Sequence, residues 1–311
     1  MEVINKNHVS VGNTKWKHVK LVYFSGTGGT ERASYQLAQC LKNRGLEVER
    51  VQLDVQGIET EKRRTVNLEK SPDLLVLSFA VHAFDAPEPV YEWIYGLPEG
   101  KGLPVVVISV SGGGEIWPNT ACRVGCIRAL ERKGYDVFYE RMLVMPSNWI
   151  AAAGDHLAMH LLQVLPKKAE YTAAEIASGV RRRTRPQITS RLMTALFKIE
   201  KSGAKFFGKD LTVEQTCTGC GWCARSCPRG NIKMEKQRPA FDWRCIACLR
   251  CVYGCPAAAL HPRRLQFIPV KGGYDLKALE TRMNSIVLKP VEELATGAFS
   301  GLRDYLLKEE A

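Results

Sequence analysis

The chain has 311 residues, 45% of them hydrophobic and 24% charged, with a formal net charge of +12. That length exceeds one ordinary core and predicts two domains, and the apolar content excludes a disordered chain. No run approaches the roughly 20 uncharged apolar residues that a membrane-spanning helix needs, so no membrane span is expected.

The opening stretch MEVINKNHVSVGNTKWKHVK has neither an apolar segment nor a small-residue cleavage site. The expectation is therefore a cytoplasmic protein, in a reducing compartment where closely set cysteines bind metal more often than they pair. Residues 19–24, VKLVYF, are a short β-branched and aromatic run ending at Ser-Gly, and they predict a buried strand. After the turn SGTGGT, Ala33, Leu37, Cys40 and Leu41 recur at helical spacing until Gly45. Residues 47–53 alternate as a strand does, while 73–81 and 103–110 are continuous apolar runs expected of central parallel strands. EPVYEWIYGL lies between those two runs and predicts a helix; PNTACRVGCIRALERKG predicts another, and residues 135–145 a fifth strand. Alternation of this kind predicts an α/β, doubly wound, five-stranded parallel sheet with ligands at the carboxyl ends of its strands.

Beyond that sheet, DHLAMHLLQVL and YTAAEIASGV predict two helices. RRRTRPQ, residues 181–187, has a linker's composition and serves as a solvated connection or a patch for an acidic partner. No aromatic platform or nucleic-acid-binding fold accompanies the arginines, so no nucleic acid is expected. A further amphipathic helix follows over 188–210. The tail, 291–310, places Val291, Leu294, Ala295, Ala298, Phe299, Leu302 and Leu306 on one helical stripe, weakened by Gly297 and Gly301. Its apolar face is expected to pack on the protein's own surface, with a detachable partner-docking helix as the alternative.

Three loops at one sheet edge form the first candidate site. The SGTGGT loop brings Ser25, Gly26, Thr27, Gly28, Gly29 and Thr30 to a helix N-terminus, where backbone N–H groups and hydroxyls suit a phosphate. It is neither a Walker A loop nor a dinucleotide fingerprint. The third strand ends in Ala80, Val81, His82, Ala83 and Phe84, and the fourth in Ser111, Gly112, Gly113 and Gly114, followed by Trp117. A phosphate seat beside two loops bearing flat side chains suits a flavin. With these residues the N-terminal part resembles a flavodoxin, whose first loop reads Ser/Thr-x-Thr-Gly-x-Thr, matched by Ser25, Thr27, Gly28 and Thr30. Gly29 departs from the Asn or Lys frequent there. The resemblance implies FMN as cofactor.

The second candidate site is a cysteine block. Eight of eleven cysteines fall between Cys217 and Cys255, in two runs of C-x2-C-x2-C-x3-C-P: Cys217, Cys220, Cys223 and Cys227, then Cys245, Cys248, Cys251 and Cys255. This spacing suits cubane iron–sulfur clusters, whereas zinc sites use two separated pairs. Here the chain resembles a bacterial-type two-cluster 4Fe-4S ferredoxin. The resemblance implies that Cys217, Cys220, Cys223 and Cys255 hold one cluster, and Cys245, Cys248, Cys251 and Cys227 the other. Cys40 reads as a core residue, and Cys122 and Cys126 share a helix face as packing residues.

The whole chain thus resembles the flavodoxin–ferredoxin fusion proteins of anaerobic bacteria and archaea. It divides into an N-terminal extension (1–17), a flavodoxin-like domain (18–165), a helical and basic linker (166–208), a small α+β two-cluster domain (209–264) and a C-terminal extension (265–311). The implied function is intracellular electron transfer between a flavin, two 4Fe-4S clusters and a partner redox enzyme. The alternatives are a reductase acting on a small substrate at its own flavin, and a redox-sensing or nucleic-acid-binding protein with structural clusters. Two clusters and a flavin phosphate, each about −2, bring the charge to about +6, so the expected redox partner has an acidic docking face.

Overall fold

In a computed structural model the described residues are 15–54, 71–196 and 200–308. Five strands, β1 (His18–Phe24), β2 (Glu47–Gln52), β3 (Leu74–Ala80), β4 (Pro104–Ser111) and β5 (Asp136–Val144), form one sheet in the order β2-β1-β3-β4-β5, all pairs parallel. This is the flavodoxin-like doubly wound order. β3 and β4 are buried almost throughout, as their unbroken apolar runs require.

The helices cover both faces. On one side α1 (Gly29–Lys42) and a long α4 (Gly154–Ala177) bury Leu37, Leu41, Met159 and Leu165 against Leu21, Val106 and Ile108. On the other, α2 (Glu88–Gly96) and α3 (Val124–Arg132) bury Val90, Ile94, Ile127 and Leu130 against Val22, Leu77 and Val107. Cys40 and Cys126 are buried among these residues, and Cys122 is buried as well, as a packing role requires.

α4 corrects the expectation of two helices. It runs unbroken through Pro166, because Leu161, Leu162, Leu165, Ala169 and Ala173 are buried on either side of the proline and hold the axis. That packing offsets the roughly 3 kcal/mol an internal proline costs.

The arginine-rich segment is strapped to the sheet edge. Arg182 bonds β5 in parallel, its N–H donating to Phe138 O at 3.0 Å and its carbonyl accepting from Glu140 N at 2.9 Å. Arg181 pairs with Asp136 at 2.8 Å and Arg183 with Glu131 at 2.8 Å, so these guanidiniums are engaged within the chain rather than free in a solvated linker. Two helices follow, α5 (Ile188–Leu196) and α6 (Glu200–Asp210); positions 197–199 of the single expected helix lie outside the described residues.

The cysteine-rich part contains two small antiparallel ribbons, β6 (Leu211–Val213) with β9 (Leu260–Pro262), and β7 (Ile232–Glu235) with β8 (Arg238–Phe241). Two short helices, α7 (Trp222–Ser226) and α8 (Arg250–Tyr253), lie between them. The chain then returns to the large sheet. α9 (Leu276–Met283) places Leu276 and Leu279 in the core beside α1 and α4.

The tail is three short pieces, Val291–Leu294, Gly297–Phe299 and Leu302–Leu307, rather than one helix. Gly297 turns left-handed (φ 53°) between the first two. Leu302 and Tyr305 are buried against Leu157, Leu161 and Val144, and Val144 N donates to the Tyr305 hydroxyl at 3.1 Å. This is the self-packing expected of its apolar stripe.

Candidate functional site

The carboxyl ends of β1, β3, β4 and β5 open onto one cavity of about 860 Å³. Of the fifteen sequence-predicted positions, it brings together Ser25, Gly26, Thr27, Gly29, Thr30, Ala80, Val81, His82, Ala83, Phe84, Ser111, Gly112 and Gly113. Gly28 and Gly114 do not line it: Gly28 is the residue before α1, and a Cβ on Gly114 meets Leu302 of the tail at 2.9 Å. Trp117 is half exposed and stands off the cavity as well.

The first loop is organised from within. The buried Ser25 hydroxyl accepts from Gly28 N and Glu31 N, both at 3.2 Å, which draws the chain around the helix start. Gly29 and Thr30 belong to the first helical turn, where N–H groups have no partner inside the helix. Thr27 Oγ1 accepts from Asn148 Nδ2 at 2.8 Å. In the second loop His82 and Asp85 exchange backbone hydrogen bonds at 3.0 Å around Ala83 and Phe84. Both central residues are left-handed, with φ of 49° and 56°. Strain of this kind concentrates at ligand sites. In the third loop Asn119 Nδ2 donates to Ser111 Oγ at 3.0 Å and Gly114 O at 3.1 Å, fixing the glycines.

A buried ion network lies behind the third loop. Arg123 is fully buried and donates to Glu140 at 2.7 Å, Ser109 at 2.8 Å, Thr184 at 2.9 Å and, in a very short contact, Glu115. Glu115 directly follows the glycines.

Sequence reasoning missed the loop after β5. Met145 to Ala151 line the cavity, with Tyr274, Ala204, Phe207, Ile246 and Ala247. PSNWIAAAG, small residues around one tryptophan at the same sheet edge, was a readable signal; the distant segments offered none. The Trp149 indole N–H is buried without a hydrogen-bond partner among the described residues. Its ring also packs in the apolar cluster that contains Ala247, Cys245 and Cys251. An orphaned donor, free helix-start N–H groups and a cradle of small residues fit a flavin with its phosphate.

The cysteine block has a hidden repeat. Gly219, Gly221 and Gly230 are left-handed (φ 71°, 70° and 54°), and so, one motif later, are Ala247, Leu249 and Ala258 (φ 50°, 61° and 47°). Asn231 N donates to Cys227 Sγ and Ala259 N to Cys255 Sγ, both at 3.3 Å. Each half therefore wraps its sulfurs with the same backbone.

The thiols meet across the repeat. Cys223 is raised above its ordinary pKa by burial and then by Cys255, Cys217 and Cys220. Cys251 is raised well above its ordinary value by burial and then by Cys248, Cys245, Cys227 and Cys223. Burial pushes Cys245 up to about 12, with Cys248 and Cys227 adding to it. Neighbouring thiols thus act across the two motifs, Cys255 on Cys223, and Cys227 on Cys245 and Cys251. Among the described residues no three His, Cys, Asp or Glu side chains converge as a single metal ion requires. Sulfur quartets served by backbone N–H donors fit 4Fe-4S cubanes.

The two sites touch. A Cβ on Gly26 lies 2.7 Å from Cys248 O and 3.2 Å from Cys248 Cβ, so the phosphate-type loop rests directly on a cysteine of the second quartet. Arg250 Nε donates to Gly26 O at 2.9 Å, its Nη2 makes a very short contact with Ser25 O, and its Nη1 reaches Ser226 O at 2.9 Å. At the far end Cys220 is exposed.

Residues 209–256 match the family model of the 4Fe-4S dicluster domain. Among solved structures the chain is similar to a flavodoxin from Streptococcus pneumoniae TIGR4, with 18% identity over 52% of this chain and 99% of that one, at a TM-score of 0.38. It is also similar to oxidised flavodoxin 2 from Bacillus cereus, with 15% identity, 52% and 98% covered, and a TM-score of 0.37. A third is the two-electron reduced Megasphaera elsdenii flavodoxin, with 22% identity, 40% and 85% covered, and a TM-score of 0.31. No curated protein matches the chain. Among the described residues no helix is long and apolar enough to cross a membrane.

Proposed function

We propose that this chain, a flavodoxin-like sheet joined to a 4Fe-4S dicluster domain, is an electron-transfer protein that moves electrons between FMN in the large cavity and a partner redox protein docked beside the exposed Cys220. When bound, the flavin exchanges electron pairs for single electrons, and the two cubanes relay single electrons. The observation that carries the reading is the contact of Gly26 with Cys248, which leaves no gap for water between the flavin loop and the nearer quartet.

The residues divide the work by position. Thr27, Gly29 and Thr30 hold the phosphate, while the Ala80–Phe84 and Ser111–Gly113 segments and Trp149 enclose the ring. Cys227, Cys245, Cys248 and Cys251 form the near cluster site, and Cys217, Cys220, Cys223 and Cys255 the far one. Exposed Arg225 and Arg238 flank the far quartet, Arg225 donating to Cys220 O at 2.9 Å. Exposed Lys236 shares the turn whose Gln237 packs on Gly219. Nearby Glu214 is taken by His261 at 2.6 Å. A basic rim of this kind suits an acidic protein partner rather than nucleic acid, and eleven unpaired cysteines suit the cytoplasm.

The test is anaerobic purification followed by iron, sulfide and flavin analysis. About eight iron and eight sulfide per chain, with FMN bound stoichiometrically on titration, are expected. The reduced holoprotein should keep its electrons in the presence of small acceptors until a protein acceptor is added. Iron near zero, or stoichiometric zinc, refutes the cluster assignment. Rapid reoxidation by a small molecule alone turns the reading into that of a reductase.

A further inference from the structure

At two of the positions where the halves of the cysteine block differ, one half places an arginine against the flavodoxin-like part. Position 222 of the first motif is Trp, packed over Gly254, whereas its counterpart 28 residues on is Arg250, which leaves the motif to grip the carbonyls of Ser25 and Gly26. Position 229 is Arg, whereas its counterpart is Ala257. Arg229 pairs with Glu92 at 2.5 Å and Glu88 at 3.2 Å on α2. The two arginines thus flank the near quartet: Arg229 lies two residues after Cys227, and Arg250 between Cys248 and Cys251.

We propose that Arg250 is a positioning residue that makes cluster assembly and flavin binding interdependent. Its guanidinium presents three donors in a fixed plane to carbonyls of two separate segments, which fixes the Ser25–Gly26 backbone relative to Cys248. Arg250 lies between Cys248 and Cys251, so a cluster that fixes those two cysteines also fixes the backbone that carries the guanidinium. An assembled near cluster therefore preorganises the phosphate loop, and an empty one releases it. Coupling between sites is reciprocal, so bound flavin in turn favours retention of the cluster. The inference rests on the flavin reading above, but the grip on the loop is testable without a flavin.

The experiment uses the full chain, cluster-loaded and freed of flavin, as wild type, Arg250→Gln and Arg250→Lys. FMN affinity is read by fluorescence quenching, and amide hydrogen exchange is followed over residues 25–28 with no flavin present. Arg250→Gln should weaken FMN about tenfold, within the roughly 5- to 150-fold span ordinary for coupled sites, and speed exchange in the loop with iron content unchanged. Arg250→Lys, which keeps the charge but loses the planar fork, should fall between. Chelator-treated wild type should show the same faster exchange. Wild-type affinity and exchange in Arg250→Gln at full iron content overturn the proposal. Should Arg250→Gln lose iron, Gly26→Ala pushes on the same contact from the other side. Loss of loop protection in that variant supports the coupling, and an unchanged loop refutes it. Should wild type bind no FMN, the flavin reading fails, while the exchange comparison still decides the coupling.

Discussion

Replacing Arg123 by Met removes the centre of the buried network behind the glycine loop. The guanidinium donates to Glu140, Ser109, Thr184 and Glu115 from a fully buried position. Breaking a buried pair at one partner costs roughly 3–5 kcal/mol, because the other charge stays behind uncompensated. Glu140 is only 5% exposed, but it keeps Arg183 at 3.2 Å and the Thr184 N–H at 2.9 Å, so the lower end, about 3 kcal/mol, is expected. At roughly 2–4 °C per kcal/mol for a unit of this size, the melting temperature should fall by about 6–12 °C. Thermal unfolding of the anaerobic holoprotein, followed by circular dichroism, measures it. Arg123→Met combined with Glu140→Gln should recover part of the loss by removing the stranded charge. FMN affinity should fall alongside stability, since Glu115 anchors the loop that carries Gly112 and Gly113. A melting temperature within about 1 °C of wild type, the range of an ordinary surface change, refutes the reasoning.

Cys227→Ser should abolish the cluster of Cys245, Cys248 and Cys251 and spare that of its own motif; electron paramagnetic resonance, with Cys220→Ser and Cys248→Ser as references for the two signals, decides which is lost. Ala83→Gly relieves a left-handed alanine and should raise stability by about 1 kcal/mol, read as a higher melting temperature. Leu302→Ala opens a cavity beneath the tail and should cost about 2–5 kcal/mol in the same assay. Burial pushes the Cys122 thiol up to about 11, so at pH 8 only about one molecule in 1,000 carries its thiolate. Disulfide-exchange reagents should therefore leave it untouched in the folded protein and reach it only on unfolding or as the pH nears 11.

The parallel sheet was legible because β3 and β4 are continuous apolar runs, and burial on both faces leaves no other pattern. The cysteine spacing was legible because a cubane of this type draws three of its ligands from one short segment. The unbroken α4 was not, since Pro166 argues locally for a stop and only the packing on both sides of it overrules that. Gly26 lines the cavity as its loop position suggests. Its carbonyl and its missing side chain also serve Cys248 and Arg250, more than 220 residues away, and no local pattern encodes a partner at that distance. The Met145–Ala151 loop lies between these cases, readable from the edge it leaves but not from its composition alone.

The return of the chain after the cysteines has a consequence for how the molecule is made. Tyr274 lines the cavity and donates to Pro146 O at 2.9 Å, Leu276 and Leu279 complete the core beside α1 and α4, and Leu302 and Tyr305 cover Leu157 and Leu161. A ribosome delivers all of these after the last cysteine, because synthesis runs from N- to C-terminus. The nascent sheet can pair its strands early, but it waits with an open groove along α4 and an unroofed cavity until the cysteine block has emerged. The cluster unit is thus spliced into the flavin unit rather than appended to it, and the cysteines become available for iron before the flavin cavity acquires its final wall.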